Sequence, residues 1–191
     1  MAEKLALISY LTLGLVLCIS TVTDFKTGKV YNWLTFPAIL VGFALAIGGG
    51  AMLNGGAGAW ESFRQVSLAF TAGLIPFVII FALGGLGGGD VKLMATVGAL
   101  SAHWECVLGT TVYAFTTGLV IAIGVMIRRG IIKQTLRRVF IATLTAAAGV
   151  QPDIPTDSPR IPFALAICVG GLLAGAEHLL RVKLPWSQWI Y

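Results

Sequence analysis

Charge is scarce in this chain. Only 11% of its 191 residues are Asp, Glu, Lys or Arg, against roughly 25% in an ordinary soluble domain. Histidine is rarer still, with two residues, and no His-Glu-x-x-His occurs, which argues against a zinc peptidase. The three cysteines, Cys18, Cys106 and Cys168, stand singly in apolar sequence. Without a Cys-x-x-Cys pair they suggest neither a zinc site nor a disulfide framework, and they read as small buried apolar residues. No metal is expected. The first apolar run, within residues 1–22, is followed by no Ala-x-Ala pattern, and Leu15-Val16-Leu17 before Cys18 lacks the small residues of a lipoprotein signal. It reads as an uncleaved first membrane span. There is no tandem repeat, and the two halves show no inverted correspondence of the kind that transporters carry.

What the chain has instead is apolar length. Hydrophobic residues make up 57% of it, and the mean hydropathy is +0.90. A helix needs about 20 apolar residues to cross the hydrocarbon core. Such runs cover residues 5–23, Val30 to just before Asn54, 65–85, 106–127 and 161–176 with an extension toward 180, and a shorter one covers 93–102. The short run suits a tilted or re-entrant helix. The expected fold is all-α, a polytopic membrane helix bundle of about six transmembrane helices, forming one domain over 1–191. Asn54–Gly58, Asn-Gly-Gly-Ala-Gly, reads as a flexible loop, and the proline-rich 151–162 as an irregular one.

The net charge is +5, but placement says more than sign. With the N-terminus outside, nine basic residues (Lys26, Lys29, Lys92, Arg128, Arg129, Lys133, Arg137, Arg138 and Arg160) fall inside and four (Lys4, Arg64, Arg181 and Lys183) outside. The positive-inside rule therefore puts both termini on the extracytoplasmic side. Segment 128–160 becomes a cytoplasmic loop. Within it, apolar 139–150 is too short to span and suits a helix lying in the interface, with a seventh hydrophobic hairpin as the alternative. Basic residues that flank spans contact a lipid bilayer, so nucleic acid is not an expected partner.

Acidic residues number eight. Glu3, Glu61, Glu105 and Glu177 fall outside, and Asp153 and Asp157 fall in the proline-rich loop. Asp24 and Asp90 are set apart, each at the boundary of an apolar span where a carboxylate is costly. One span precedes Asp24 and three precede Asp90, so both emerge on one face. Asp90 also closes the run Gly84-Gly85-Leu86-Gly87-Gly88-Gly89, five glycines in six positions. Each glycine costs a helix about 1 kcal/mol, yet each permits the close backbone approach that a cleft for an extended chain needs. Glycine packing between helices is the structural alternative.

Two carboxylates sharing one water cannot both ionise easily. One then serves as base toward water while the other, protonated, donates to a peptide carbonyl. Either assignment of Asp24 and Asp90 fits. Lys92 reads as a snorkelling anchor or as a cleft residue. His103 and His178 lie outside and form no ligand pair, and Ser62 and Ser101 have no base on their face.

The residues Gly87-Gly88-Gly89-Asp90, continued by Val91-Lys92-Leu93-Met94-Ala95, resemble the Gly-x-Gly-Asp motif of the type IV prepilin peptidases. Thr23-Asp24-Phe25-Lys26-Thr27-Gly28-Lys29-Val30-Tyr31-Asn32 resembles that family's first aspartate motif, with Val-Tyr-Asn in place of Ile-Pro-Asn. Arg160-Ile161-Pro162-Phe163-Ala164-Leu165-Ala166 resembles a Pro-containing segment at the start of its last span. Signal peptide peptidases and presenilins share Gly-x-Gly-Asp, but their Tyr-Asp and Pro-Ala-Leu are missing here; archaeal preflagellin peptidases are similar in design. The resemblance implies cleavage of the basic leader of prepilin or pseudopilin substrates at the cytoplasmic side of a bacterial inner membrane. Asp24 and Asp90 would be catalytic, Gly87, Gly88, Gly89 and Lys92 would form the cleft, and no cofactor would be needed. Pilus assembly or secretion machinery are the implied partners. The paired Cys-x-x-Cys region of methylating members is lacking, which implies a peptidase-only member like those of Flp-type (tight adherence) pilus systems. Two other readings stand beside it, a transporter or proton-coupled channel using the carboxylates as an ion relay and a structural subunit of a secretion complex.

Overall fold

The computed structural model describes residues 2–130, 132, 133, 135, 137 and 163–180. Most of the 128–160 loop lies outside them, including the expected interfacial helix at 139–150, Asp153 and Asp157, as do Arg160 to Pro162. Among the described residues there are five helices and no strand. They are α1 (Ala2–Thr27), α2 (Asn32–Ala82), α3 (Gly88–Ser101), α4 (Trp104–Arg129) and α5 (Phe163–Leu180). Four of them, all but α3, are long and apolar enough to cross a membrane. Large apolar side chains such as Leu11, Leu15, Leu40, Leu68 and Leu119 point outward. Helices that are apolar on every side belong in lipid, and the molecule is a helical membrane bundle.

The chain forms two compact units, residues 1–115 with 162–191, and residues 116–161. The described part of the second is the later portion of α4 and a few residues beyond it.

Two expected spans are joined as α2. Its 51 residues contain one break, at Asn54 (φ −132°, ψ 23°) and Gly55 (φ 60°, ψ −143°). The ring of Phe43 lies 6.4 Å from Phe63 and 5.7 Å from Phe70. In a straight helix 27 residues would separate Phe43 from Phe70 by about 40 Å, so α2 folds back as a hairpin of arms 32–53 and 56–82. At 1.5 Å per residue the arms measure about 33 and 40 Å, each enough to cross a core of about 30 Å. The expected loop over Asn54–Gly58 is thus corrected to a two-residue break, and the second arm starts well before residue 65. Glycine makes the reversal tight: a Cβ on Gly50 would strike the Gly58 carbonyl and the Ser62 hydroxyl.

The short fourth segment, α3, sits at the centre. Its 14 residues reach only about 21 Å, and ten of them, Val91 and Leu93 to Ser101, are buried. Its neighbours are α1, both arms of α2, and α5. Backbone lies against backbone here, because a Cβ on Gly73 would meet the Met94 carbonyl, one on Gly98 the Ala69 carbonyl, and one on Gly42 the Ala99 carbonyl at 2.5 Å. Small residues let helices without a water-driven force between them gain close dispersion contact. The glycines of α3 and α2 thus serve packing, and shield a helix too short to face lipid alone.

The expected burial of the cysteines holds for Cys106 and Cys168; Cys18 is exposed on α1.

Candidate active site

Topology decides where the two aspartates meet. α1 delivers Asp24 to its C-terminal end. The α2 hairpin leaves from that end and returns to it, and the turn over residues 83–87 then feeds α3, whose first turn carries Asp90. Both carboxylates lie at one end of the bundle, 66 positions apart in sequence.

Asp24 stands just before the helix stops. The N–H of Gly28 donates to the Asp24 carbonyl oxygen at 2.8 Å, and Gly28 has φ +64°, the left-handed cap that glycine adopts at little cost. The Asp24 carboxylate accepts the backbone N–H of Ala164, in the first turn of α5. That N–H has no partner within its own helix, and the positive end of the helix dipole favours an anion beside it. Thr21, one turn earlier on α1, donates its hydroxyl to the carbonyl oxygens of Leu17 at 2.8 Å and Ala164 at 3.3 Å. The α5 N-terminus is therefore held through both faces of one residue.

Asp90 folds back on the start of α3. Its Oδ2 accepts the N–H of Gly87 at 3.2 Å, and its own N–H donates to the Gly87 carbonyl oxygen at 3.1 Å. Gly87 is the residue before the helix, and its lack of a side chain leaves the reciprocal half of a capping box to the backbone. Burial pushes the Asp90 carboxyl up to about 6; the Gly87 N–H opposes this, and the neighbouring negative charge of Asp24 adds to it. The charge of Asp24 thus reaches Asp90 across the site.

The glycine run divides by role. Gly84 takes φ +78° and turns the chain, Gly87 caps α3, and Gly88 and Gly89 are helical. A Cβ on Gly89 would lie 3.0 Å from a Val30 methyl, whereas one on Gly88 would fit at 3.5 Å from Phe81. Gly89 therefore brings the chain after Asp24 against the turn that carries Asp90. Lys92, expected at the cleft, donates its Nζ to Asn32 Oδ1 at 2.7 Å, tying α3 to the first residue of α2. In the sequence, Asn32 and Ala164 stand only as members of longer motif segments, and nothing singles out Thr21. A backbone N–H leaves no signature in sequence, and no local pattern pairs residue 21 with residue 164.

A cavity of about 680 Å³ lies at the other end of α1, among Ser9, Tyr10, Gln65, Ser101, His103 and His178. It includes neither aspartate. His103 and His178, expected on one side but not as a pair, have ring centroids 4.4 Å apart there. No group of three potential metal ligands occurs among the described residues.

A helical membrane bundle that gathers two distant carboxylates at one end has the framework for aspartic-type chemistry. The chain belongs to the type IV leader peptidase family, whose model matches residues 11–123. The match takes in both aspartates, all of α2 and α3, and most of α1 and α4. Membership makes the chain an aspartic-type peptidase acting on prepilin-type substrates. No curated protein and no solved structure matches it.

Proposed function

We propose that Asp24 and Asp90 are the catalytic pair of an endopeptidase that removes the basic leader of a prepilin or pseudopilin at the cytoplasmic face. The observation that carries this reading is the arrival of both carboxylates at one end of the bundle, close enough for the charge of Asp24 to act on Asp90.

A water held between them supplies the nucleophile. Asp24, oriented by the Ala164 N–H at the start of α5, takes a proton from that water as it attacks the scissile carbonyl carbon. Asp90, the more deeply set of the two, donates its proton to the carbonyl oxygen. The resulting gem-diol collapses when Asp24 passes its new proton to the departing amine and Asp90 recovers one from a diol hydroxyl, breaking the C–N bond and restoring both groups. The chemistry needs no metal or organic cofactor. Gly87, Gly88 and Gly89 shape the cleft beside the pair, Gly89 by seating Val30, and Lys92 steadies it through Asn32.

The setting follows from the basic residues. Lys26, Lys29 and Lys92 share the end that bears the carboxylates, which is the cytoplasmic end by the positive-inside rule. Both termini are then extracytoplasmic in a bacterial inner membrane, residues 1–191 act as one peptidase domain, and the cleaved product goes on unmethylated to pilus or secretion machinery. Ion relay gains no support, since the carboxylates stand at an end and not near the midplane where transport sites lie.

The test is cleavage by the purified full chain in nanodiscs, with a prepilin carrying its basic leader as substrate and mass spectrometry of the products. Wild type is expected to release leader and an unmethylated mature chain. Asp24→Asn and Asp90→Asn are each expected to abolish release; cleavage surviving either substitution would overturn the pair.

A further inference from the structure

Two thiols face each other across the α1–α5 interface. The helices run antiparallel in one register: a Cβ on Gly175 would meet the Tyr10 ring at 3.2 Å, one on Gly14 the Leu172 side chain at 3.5 Å, and one on Gly171 Leu17 Cδ1 at 2.6 Å. The same register pairs Thr21 with Ala164. Residue numbers rise on α1 as they fall on α5, and Cys18 falls opposite Cys168. The two side chains are in hydrogen-bond contact, with the Thr21 hydroxyl also on Cys168. The glycines hold the backbones close, as a disulfide requires, with Cβ atoms about 3.5–4.5 Å apart. Cys168 is buried while Cys18 is exposed, and Cys18 lines an apolar groove of about 460 Å³ running along α1 and α5 through Leu11, Gly14, Leu15 and Leu172.

We propose that Cys18 and Cys168 are a redox-active dithiol, oxidised to an α1–α5 disulfide by a lipid-soluble quinone. The two sulfurs lose two electrons and two protons as the S–S bond forms; the quinone gains both and leaves as quinol. The surroundings select the oxidant. A quinone reaches Cys18 from the bilayer through the apolar groove, whereas a charged, water-soluble disulfide such as oxidised glutathione does not enter the hydrocarbon core. Cys18 lies six residues, about 9 Å, before Asp24, and Cys168 four residues, about 6 Å, beyond Ala164. The bond would fix the spacing between Asp24 and the N–H it accepts, so oxidation is expected to slow cleavage. This second step rests on the catalytic reading of Asp24; the formation of the bond does not.

Full-length protein in nanodiscs is treated with a short-chain ubiquinone analogue or with oxidised glutathione, then denatured and its thiols counted by a maleimide–polyethylene glycol gel shift. With the quinone, wild type should keep one of its three thiols and recover all with dithiothreitol. Cys106→Ala should keep none, and Cys18→Ala and Cys168→Ala should keep both of theirs. Retention of every thiol in wild type, a bond formed in Cys18→Ala, or equal oxidation by glutathione would each overturn the proposal. On the same samples prepilin cleavage should fall by about tenfold or more and return on reduction, with Cys18→Ala unaffected. A bond that forms without changing the rate would overturn its control of the site while leaving the dithiol standing. A sample inactive before oxidation would count against the catalytic reading alone.

Discussion

The Asp90 carboxyl sits where a small change of pH changes its charge. Burial raises it to about 6, with the Asp24 charge adding to the rise. A group that must be protonated to donate is lost as pH climbs, so kcat/KM for prepilin cleavage should fall on the alkaline side of about pH 6. The pair titrates as a unit, and the measured limb belongs to both. Removing the Asp24 charge makes ionisation of Asp90 easier. Asp24→Asn should therefore move the Asp90 titration down without returning it to 3.8, because the burial remains. Infrared spectroscopy of the protonated carboxyl stretch against pH checks this without needing activity. Lys92 offers a second prediction: Lys92→Met frees Asn32 and loosens the turn before Asp90, and should cost about tenfold in kcat with the thermal midpoint little changed. Asp24 and Asp90 were legible in sequence because carboxylates are few and these two end apolar runs. Their partners were not. The Ala164 N–H belongs to a helix start 140 positions from Asp24, and only packing shows that the two meet.

At the scale of elements, α3 decides whether a short buried helix survives in lipid. It is held by backbone contacts at Gly42, Gly73 and Gly98 rather than by large side chains. Gly98→Val would push a branched side chain into the Ala69 carbonyl, and should destabilise the bundle by about 1–3 kcal/mol, read as a lower thermal midpoint in detergent. Gly28→Ala tests the stop after Asp24. Its φ of +64° strains a side chain by about 1 kcal/mol, and the variant should lose cleavage beyond its small loss of stability. Hydropathy gave the spans well, since their apolar runs are long. It gave the turns poorly. Asn54–Gly58 carries loop residues, yet three of its five positions are helical, because helix propensity yields to hairpin packing. The glycines at 88 and 89 likewise read as breakers but open α3, where a buried neighbour matters more than propensity.

For the whole molecule, chain order and function are linked by the α2 hairpin. Two crossings separate the aspartate motifs in sequence and cancel in space. The parity of the spans, visible in the sequence, anticipated this, although only a two-residue break divides the arms of α2 and α3 is too short to span. The large cavity with His103 and His178 gathers at the opposite end, where no apolar run foretold it. Burial lowers His103 from its ordinary value, opposed by Glu105, so the His103 imidazole is expected to stay uncharged at neutral pH.

The most direct measurement is a short thiol–thiol cross-link between positions 24 and 90. In a chain with Cys18, Cys106 and Cys168 replaced by alanine, Asp24→Cys and Asp90→Cys are introduced together and treated in membranes with a cross-linker of about one disulfide's reach. An intramolecular link, with both cysteines labelled by reagents from the same side, is the predicted result. Labelling from opposite sides, with no link formed, would contradict the account.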